Sequence, residues 1–141
     1  MKIAAEWRGG MRFESNTPSH HTCTIDSGAE GSVTSGPSPM EMVLQALACC
    51  TGMDIVSILK KKRQEPEKFS IQVEAERAED PPRVFTKIHI VYHIKKEALT
   101  NTAVEQAIQL SVDKYCSVLN MIKSTAQISW EYKLETADKH R

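Results

Sequence analysis

Cys50 and Cys116 are the residues of this chain best suited to chemistry. Cys50 closes the apolar run Met42-Val-Leu-Gln-Ala-Leu-Ala-Cys-Cys50, and Cys116 sits in Lys114-Tyr-Cys-Ser-Val118. Neither belongs to a C-x-x-C pair. Two thiols far apart in sequence, each on a segment that reads as a buried helix, point to a peroxidatic and a resolving cysteine in preference to a metal site. The alternative is a pair of inert core thiols. A free thiol with its reference pKa of ~8.5 is mostly protonated at neutral pH, and burial among leucines raises that value further. A reactive Cys50 therefore needs a positive neighbour or hydrogen-bond donors.

The other candidates read as structural. Cys49 is vicinal to Cys50, but neighbouring helical side chains diverge by ~100°, so it reads as a small packing residue, with a resolving role as the competing reading. Asp54, four residues after Cys50, shares its helical face. A carboxylate there would raise a thiol pKa, so Asp54 is expected to be structural. His20, His21 and Cys23 have no second half of a zinc motif to work with. His89 and His93 fall on one strand face ~13 Å apart, too far to chelate one ion. Lys60-Lys-Lys-Arg63 reads as a solvated helix end. Neither a metal nor a cofactor is expected.

Composition bounds the function. The 141 residues suit one domain, able to bury roughly two-thirds of its unfolded surface. Lys plus Arg and Asp plus Glu both number 18, so the net charge is zero. That balance argues against nucleic-acid and anionic-membrane partners. No apolar stretch reaches the ~18 residues of a membrane span. The start, Met-Lys-Ile-Ala-Ala-Glu-Trp, lacks a signal-peptide core, so the expected location is cytoplasmic. In that reducing compartment the four cysteines are expected to be reactive or buried free thiols.

These residues must be positioned by two β-rich arms around a helical middle. Residues 2–7, 11–15 and 20–25 are strand-length pieces split by Gly9-Gly10 and Asn16-Thr-Pro18, giving an N-terminal meander over about 1–27. Residues 28–37 form a Gly/Ser/Pro-rich loop. A central helix is predicted over 38–63: Ser38 is a good N-cap, Pro39 suits the first helical position, and Glu41 completes a capping box. The stretch from Met42 to Cys50 is apolar nearly all round, which requires a core or an interface. At this length a bend near Gly52 is plausible.

A long antiparallel hairpin is predicted over 68–95, with Phe69, Ile71, Val73, Ala75, Val84, Thr86, Ile88, Ile90, Tyr92 and Ile94 inward. Its other face, Glu74, Glu76, Lys87, His89, His93 and Lys95, is expected to meet water. Two amphipathic helices over 101–123 meet near Val112-Asp113. Val104, Ala107, Ile108 and Ser111 form the stripe of the first, and Tyr115, Val118, Leu119 and Ile122 that of the second, which carries Cys116. A last strand spans 126–134, and 135–141 should fray. Strands and helices in sequence blocks give an α+β fold, an antiparallel sheet covering helices.

The run Gly36-Pro-Ser-Pro-Met-Glu41, the apolar helix ending in Cys50-Thr-Gly-Met-Asp54-Ile-Val, and Lys-Tyr-Cys116-Ser-Val resemble the OsmC/Ohr family of organic hydroperoxide reductases. The likeness runs from about Gly36 to Tyr132. It implies an intertwined homodimer whose antiparallel sheets wrap two long central helices, with the active cysteines at the subunit interface. It also implies a cycle. The Cys50 thiolate attacks the peroxide, releases an alcohol and becomes a sulfenic acid; Cys116 condenses with it to a disulfide. A dithiol, in the resembled family sometimes a lipoyl group, then reduces the pair by exchange.

The family also uses an arginine held by a glutamate. Arg12, following Gly9-Gly10 in an early strand, corresponds to the arginine, with Arg8 as an alternative. Glu41 corresponds to the glutamate with a displacement of one residue, since Met40 follows Pro39 here. Its capping box is an equal alternative role. Along an unbroken helix the nine residues from Glu41 to Cys50 give roughly 13.5 Å of rise and put the two on opposite faces. Either the helix breaks or Glu41 serves the other subunit, and the interface site of the resembled family supports the second route. Two further readings stay open: a non-enzymatic ligand-binding dimer and a disulfide redox sensor.

Overall fold

The computed structural model describes residues 1–28 and 31–136. Along the chain come β1 (Ala4–Trp7), β2 (Arg12–Asn16), β3 (Thr22–Asp26), α1 (Pro39–Lys61), β4 (Lys68–Arg77), β5 (Phe85–Lys95), α2 (Asn101–Leu110), a π-helical turn (Ser111–Tyr115), α3 (Ser117–Ile122) and β6 (Gln127–Glu135). The order is that of an α+β fold. It divides into two compact units, Met1–Gln45 and Ala46–Arg141.

The first unit holds the expected meander, with strand order β1-β2-β3 and both pairings antiparallel. Gly9 and Gly10 turn the chain with φ of 94° and 56°, backbone that a side chain would strain. Asp26 organises the following loop. Its carboxylate accepts from the Gly28 and Ser35 amides at 2.8 and 3.0 Å and from the Ser35 hydroxyl at 3.0 Å. These bonds hold its pKa below the usual carboxylate value. Gly36 passes so close to β3 that a Cβ would collide with the Thr24 carbonyl. The capping box forms as predicted: the Ser38 amide donates to Glu41 Oε1 at 3.0 Å, and the Glu41 amide donates to Ser38 Oγ at 3.2 Å.

Helix α1 runs from Pro39 to Lys61 as one α-helical segment, with no interruption at Gly52. It buries one stripe, Leu47, Thr51, Gly52, Ile55 and Leu59. That spacing marks a single helical face. The all-round apolar character of the sequence is therefore not matched by all-round burial in one chain, and Met53 is 71% exposed. The expectation about apolar length also needs correction. An 18-residue window of α1 has mean hydropathy 1.8, long and apolar enough to cross a membrane by length and composition. Gln45, Thr51 and Asp54 interrupt the run of apolar letters without bringing its average below that of a spanning helix. Gly52 lets α1 lie against β4, since a Cβ there would stand 2.8 Å from Ile71 Cδ1.

In the second unit the sheet order is β4-β5-β6. Strands β4 and β5 form the predicted hairpin, pairing Phe69 with Ile94 and Val73 with Ile90. Strand β6 runs parallel to β5, Ile90 opposite Trp130, which corrects the expected all-antiparallel sheet. The reason is topological: a chain returning through α2, the π turn and α3 makes a crossover, and crossovers join parallel strands. Ile88, Ile90, Tyr92 and Ile94 are buried as predicted. Near the turn the alternation slips. Phe85 is buried, whereas Val84 and Thr86, expected inward, are exposed. Pairing of Glu76 with Lys87 and Arg77 with Phe85 leaves Thr86 as an extra residue, and a bulge of this kind inverts the faces beyond it.

The helical return differs from two simple helices. Thr100 caps α2, accepting from the Ala103 amide at 3.1 Å, and Val104, Ala107, Ile108 and Ser111 are fully buried as expected. The second predicted helix is instead a five-residue π turn followed by a six-residue α3. Tyr115, expected inward, is half-exposed. Cys116 lies at the N-cap of α3 with φ −72° and ψ 101°, not within a helix. The fraying expected of 135–141 is not seen at Glu135, which ends β6, and from 137 onward it falls outside the described residues.

Ile55 is completely buried on the α1 stripe. Ile55→Ala is expected to lower unfolding free energy by about 2–5 kcal/mol and Ile55→Val by about 0.5–1.5 kcal/mol, read by urea denaturation with an unchanged slope.

Candidate active site

The two thiols meet inside the second unit. Cys50 comes from α1 one turn before Asp54, and Cys116 stands at the junction where the π turn ends and α3 begins. The turn is closed by a bond from the Cys116 amide to the Ser111 carbonyl at 2.8 Å, spanning five residues. In a continued α-helix residues five apart would diverge by roughly 140°. Here Ser111 and Cys116 are both fully buried. Single π turns of this kind are frequent at functional sites.

The Cys50 and Cys116 sulfurs and a carboxylate oxygen of Asp54 lie within 4.8 Å of one another. All four cysteines are free thiols: Cys49 exposed, Cys23 and Cys50 half-buried, Cys116 buried. Burial pushes the Cys116 thiol up to about 12, partly offset by the Leu119 amide, and the hydrogen bond and charge of Cys50 and the charge of Asp54 act in the raising direction. The Leu119 amide donates to Cys116 Sγ at 3.4 Å. Cys116 is thus a proton-holding partner to Cys50.

A hydrogen-bond chain leads from the sheet to this cluster. Tyr92 Oη and Thr51 Oγ1 are 2.8 Å apart, Thr51 Oγ1 and Ser111 Oγ are 2.8 Å apart, and Ser111 Oγ donates to Asp54 Oδ2 at 2.9 Å. Each hydroxyl has one proton to donate and a carboxylate only accepts. The chain therefore runs in one direction, Tyr92 to Thr51 to Ser111 to Asp54. Burial raises the Tyr92 phenol to about 12, with the charges at Cys116 and Asp54 adding to it. The ring of Phe69 stacks against Tyr92 with centroids 6.4 Å apart.

Of the four residues singled out from the sequence, the structure brings Cys50 and Cys116 together. Arg12 and Glu41 are engaged within the first unit: Arg12 donates to the Arg8 carbonyl at 3.2 Å, and Glu41 is held by Ser38, whose bonds lower its pKa. Arg8 is paired with Glu6 at 3.0 Å and Glu14 at 3.2 Å. Asp54, expected to be structural, stands beside both thiols and accepts the Ser111 hydroxyl. Thr51, Tyr92 and Ser111 carried no motif, yet a lone acid one turn from a cysteine and hydroxyls at inward-facing positions were the available signal. Among the described residues, Cys50, Asp54 and Cys116 also form the one group of three donors close enough to hold a metal ion.

Comparison with known proteins identifies the family and the fold. The family model described as OsmC-like protein matches residues 29–131. Protein YhfA of Escherichia coli (strain K12) is 36% identical over 137 residues, covering 97% of this chain and 100% of that protein. A hypothetical protein from Aquifex aeolicus VF5 superposes with a TM-score of 0.80 at 35% identity, over 95% of this chain and 96% of that one. An organic hydroperoxide resistance protein OsmC from Legionella pneumophila superposes with a TM-score of 0.70 at 16% identity, over 94% and 97% of the two chains. At that identity the last likeness is one of fold.

Thr51→Val removes the donor to Ser111 and the acceptor for Tyr92. It is expected to cost about 1–3 kcal/mol in denaturant unfolding, because two buried hydroxyls lose a partner. Alkaline pH tests the raised groups. Both shifts favour the protonated form in the folded state, which then holds more protons than the unfolded chain, so stability falls with rising pH. The fall should begin near pH 9 for Cys116, shifted from 9.0 to about 12, and near pH 10 for Tyr92, shifted from 10.0 to about 12. Cys116→Ser should remove the earlier part of the decline in denaturation curves taken under reducing conditions.

Proposed function

The chain belongs to the OsmC-like family, and on that premise we propose that it reduces organic hydroperoxides through its own thiols. The Cys50 thiolate attacks the terminal peroxide oxygen, the O–O bond breaks, an alcohol leaves after protonation, and Cys50 becomes a sulfenic acid. Cys116 then displaces water to form a Cys50–Cys116 disulfide. A dithiol, lipoyl-bearing or not, restores both thiols by exchange. The observation that carries this reading is the approach of the two sulfurs to within 4.8 Å, with Cys50 half-buried and Cys116 fully enclosed. An accessible attacking thiol and an enclosed resolving thiol suit the two steps.

The proposal extends to a homodimer in the reducing cytoplasm. Its support is the unpartnered side of α1, where Cys49, Met53, Val56, Phe69 and Ile71 border an open, mostly apolar groove of about 640 Å³. Grooves of this kind on a monomer are candidate interfaces. In that dimer Arg12 would provide the positive charge that favours the Cys50 thiolate, with Arg8 as the alternative, and Glu41 would hold the arginine. The Arg8 pairs with Glu6 and Glu14 are the observation in favour of the alternative. Free thiols at all four cysteines suit a reducing compartment.

The reduced protein, mixed with one equivalent of cumene hydroperoxide or hydrogen peroxide, is expected to form a Cys50–Cys116 cross-linked peptide within seconds, faster with the organic peroxide. Cys50→Ser should abolish it, and Cys116→Ser should leave a sulfenic acid on Cys50 that dimedone traps. Thiols that stay intact in the unmodified protein would reject the peroxidase. Arg12→Ala or Glu41→Ala should slow thiol oxidation by about tenfold or more, as for loss of a charge-stabilising group. Glu41→Ala should also lower stability slightly, read by denaturant unfolding, through loss of the reciprocal bond to the Ser38 amide.

A further inference from the structure

We propose that Asp54 is the base that removes the Cys116 proton when the disulfide closes, an inference that rests on the reading of Cys50 and Cys116 as a pair that bridges. Cys116 must become a thiolate to attack, yet it has no solvent exposure, so neither bulk water nor hydroxide reaches its sulfur directly. The carboxylate of Asp54 lies within 4.8 Å of both sulfurs. Ser111 donates to Oδ2 at 2.9 Å, and behind Ser111 the bonds to Thr51 and Tyr92 fix that hydroxyl. A hydroxyl held on its far side in this way orients the carboxylate it donates to. The negative charge of Asp54 opposes thiolate formation at rest, so its chemical use is to accept a proton rather than to stabilise an anion.

Asp54 also has a route to exchange that proton. It lines a cleft of about 360 Å³ with Ser57, Ile58, Lys61, Leu110 and Tyr115. The titratable and charged groups around it are Cys50 and the cleft lysines Lys61 and Lys62 from α1 and its end, Tyr115 and Cys116 from the π turn and the α3 cap, and Tyr92 from β5. Lys62 is engaged with Gln106 at 2.7 Å. In the step itself Asp54 takes the Cys116 proton, the Cys116 sulfur bonds to the Cys50 sulfur, and the S–O bond of the sulfenic acid breaks. The departing hydroxide takes the proton back from Asp54 and leaves as water. Cys116 is oxidised and Cys50 reduced until both sulfurs stand at the disulfide level, and the carboxylate is regenerated.

The test uses a mixed disulfide, so that no peroxide is needed. In a Cys23→Ser, Cys49→Ser background, 5,5′-dithiobis(2-nitrobenzoate) loads Cys50 with release of one thionitrobenzoate, and attack by Cys116 releases a second. This leaving group departs as a stable thiolate, so the second release reports deprotonation of Cys116. Asp54→Asn, which can still accept from Ser111, is expected to slow the second release by at least about tenfold at pH 7. Its rate should climb by about tenfold per pH unit between pH 6.5 and 8.5, as when the rate follows only the small ionised fraction of the thiol, whereas the parent stays flatter. Asp54→Glu should recover part of the rate, and Ser111→Ala, which keeps the carboxylate but frees its orientation, should fall in between.

Second release by Asp54→Asn and Ser111→Ala at the parent rate and pH profile overturns the proposal. Cys116→Ser must show no second release. A parent that shows none does not bridge, which sinks the inference together with the disulfide cycle. Asp54-dependent closure in a protein that ignores peroxides would keep the inference and reject only the peroxidase.

Discussion

Asp54 stands half-buried beside the thiols on an otherwise apolar helix, and its carboxylate accepts the Ser111 hydroxyl at 2.9 Å. Because the carboxylate only accepts, Ser111 must take its own bond from Thr51, and Thr51 from Tyr92. One charge therefore orders three hydroxyls contributed by α1, β5 and the π turn. A buried network of this type is favourable when every member is satisfied and costly when one is missing. It constrains the rotation of α1, the facing of Tyr92 and the place where the return helix changes its winding.

The thiols are arranged around that network. If α2 simply continued, Ser111 and Cys116 could not both turn inward. The π turn makes this possible, and the extended backbone at Cys116 then starts α3 with the sulfur accepting the Leu119 amide. Enclosure keeps Cys116 protonated, while Cys50 on the edge of α1 stays half-buried. The two cysteines differ in environment more than in chemistry, and that difference supports the proposed division into attacking and resolving thiols.

Much of the scaffold was legible in the residues. Ser38, Pro39 and Glu41 announced the start of α1, and the reciprocal bonds of the capping box are present. The inward alternation of Ile88, Ile90, Tyr92 and Ile94 was readable because a half-buried strand repeats every two residues. Val84 and Thr86 were misplaced because a bulge shifts the period and leaves no mark on local composition. The direction of β6 was likewise invisible, since an alternating strand looks the same whether it pairs parallel or antiparallel. Asp54 was judged by its charge beside a thiol, with no way to know that Ser111, 57 residues away, would hold it there.

The sequence by itself determined the apolar stripes, the cap, the turns and the presence of two thiols without a metal motif, because these depend on spacing along one element. Tertiary structure alone decided that the thiols converge, that Cys116 is the enclosed one, and that an acid and three hydroxyls stand beside them. Those facts depend on distances between α1, β5 and the return helices. Such distances arise from packing and crossover topology, and no periodicity within a single segment encodes them.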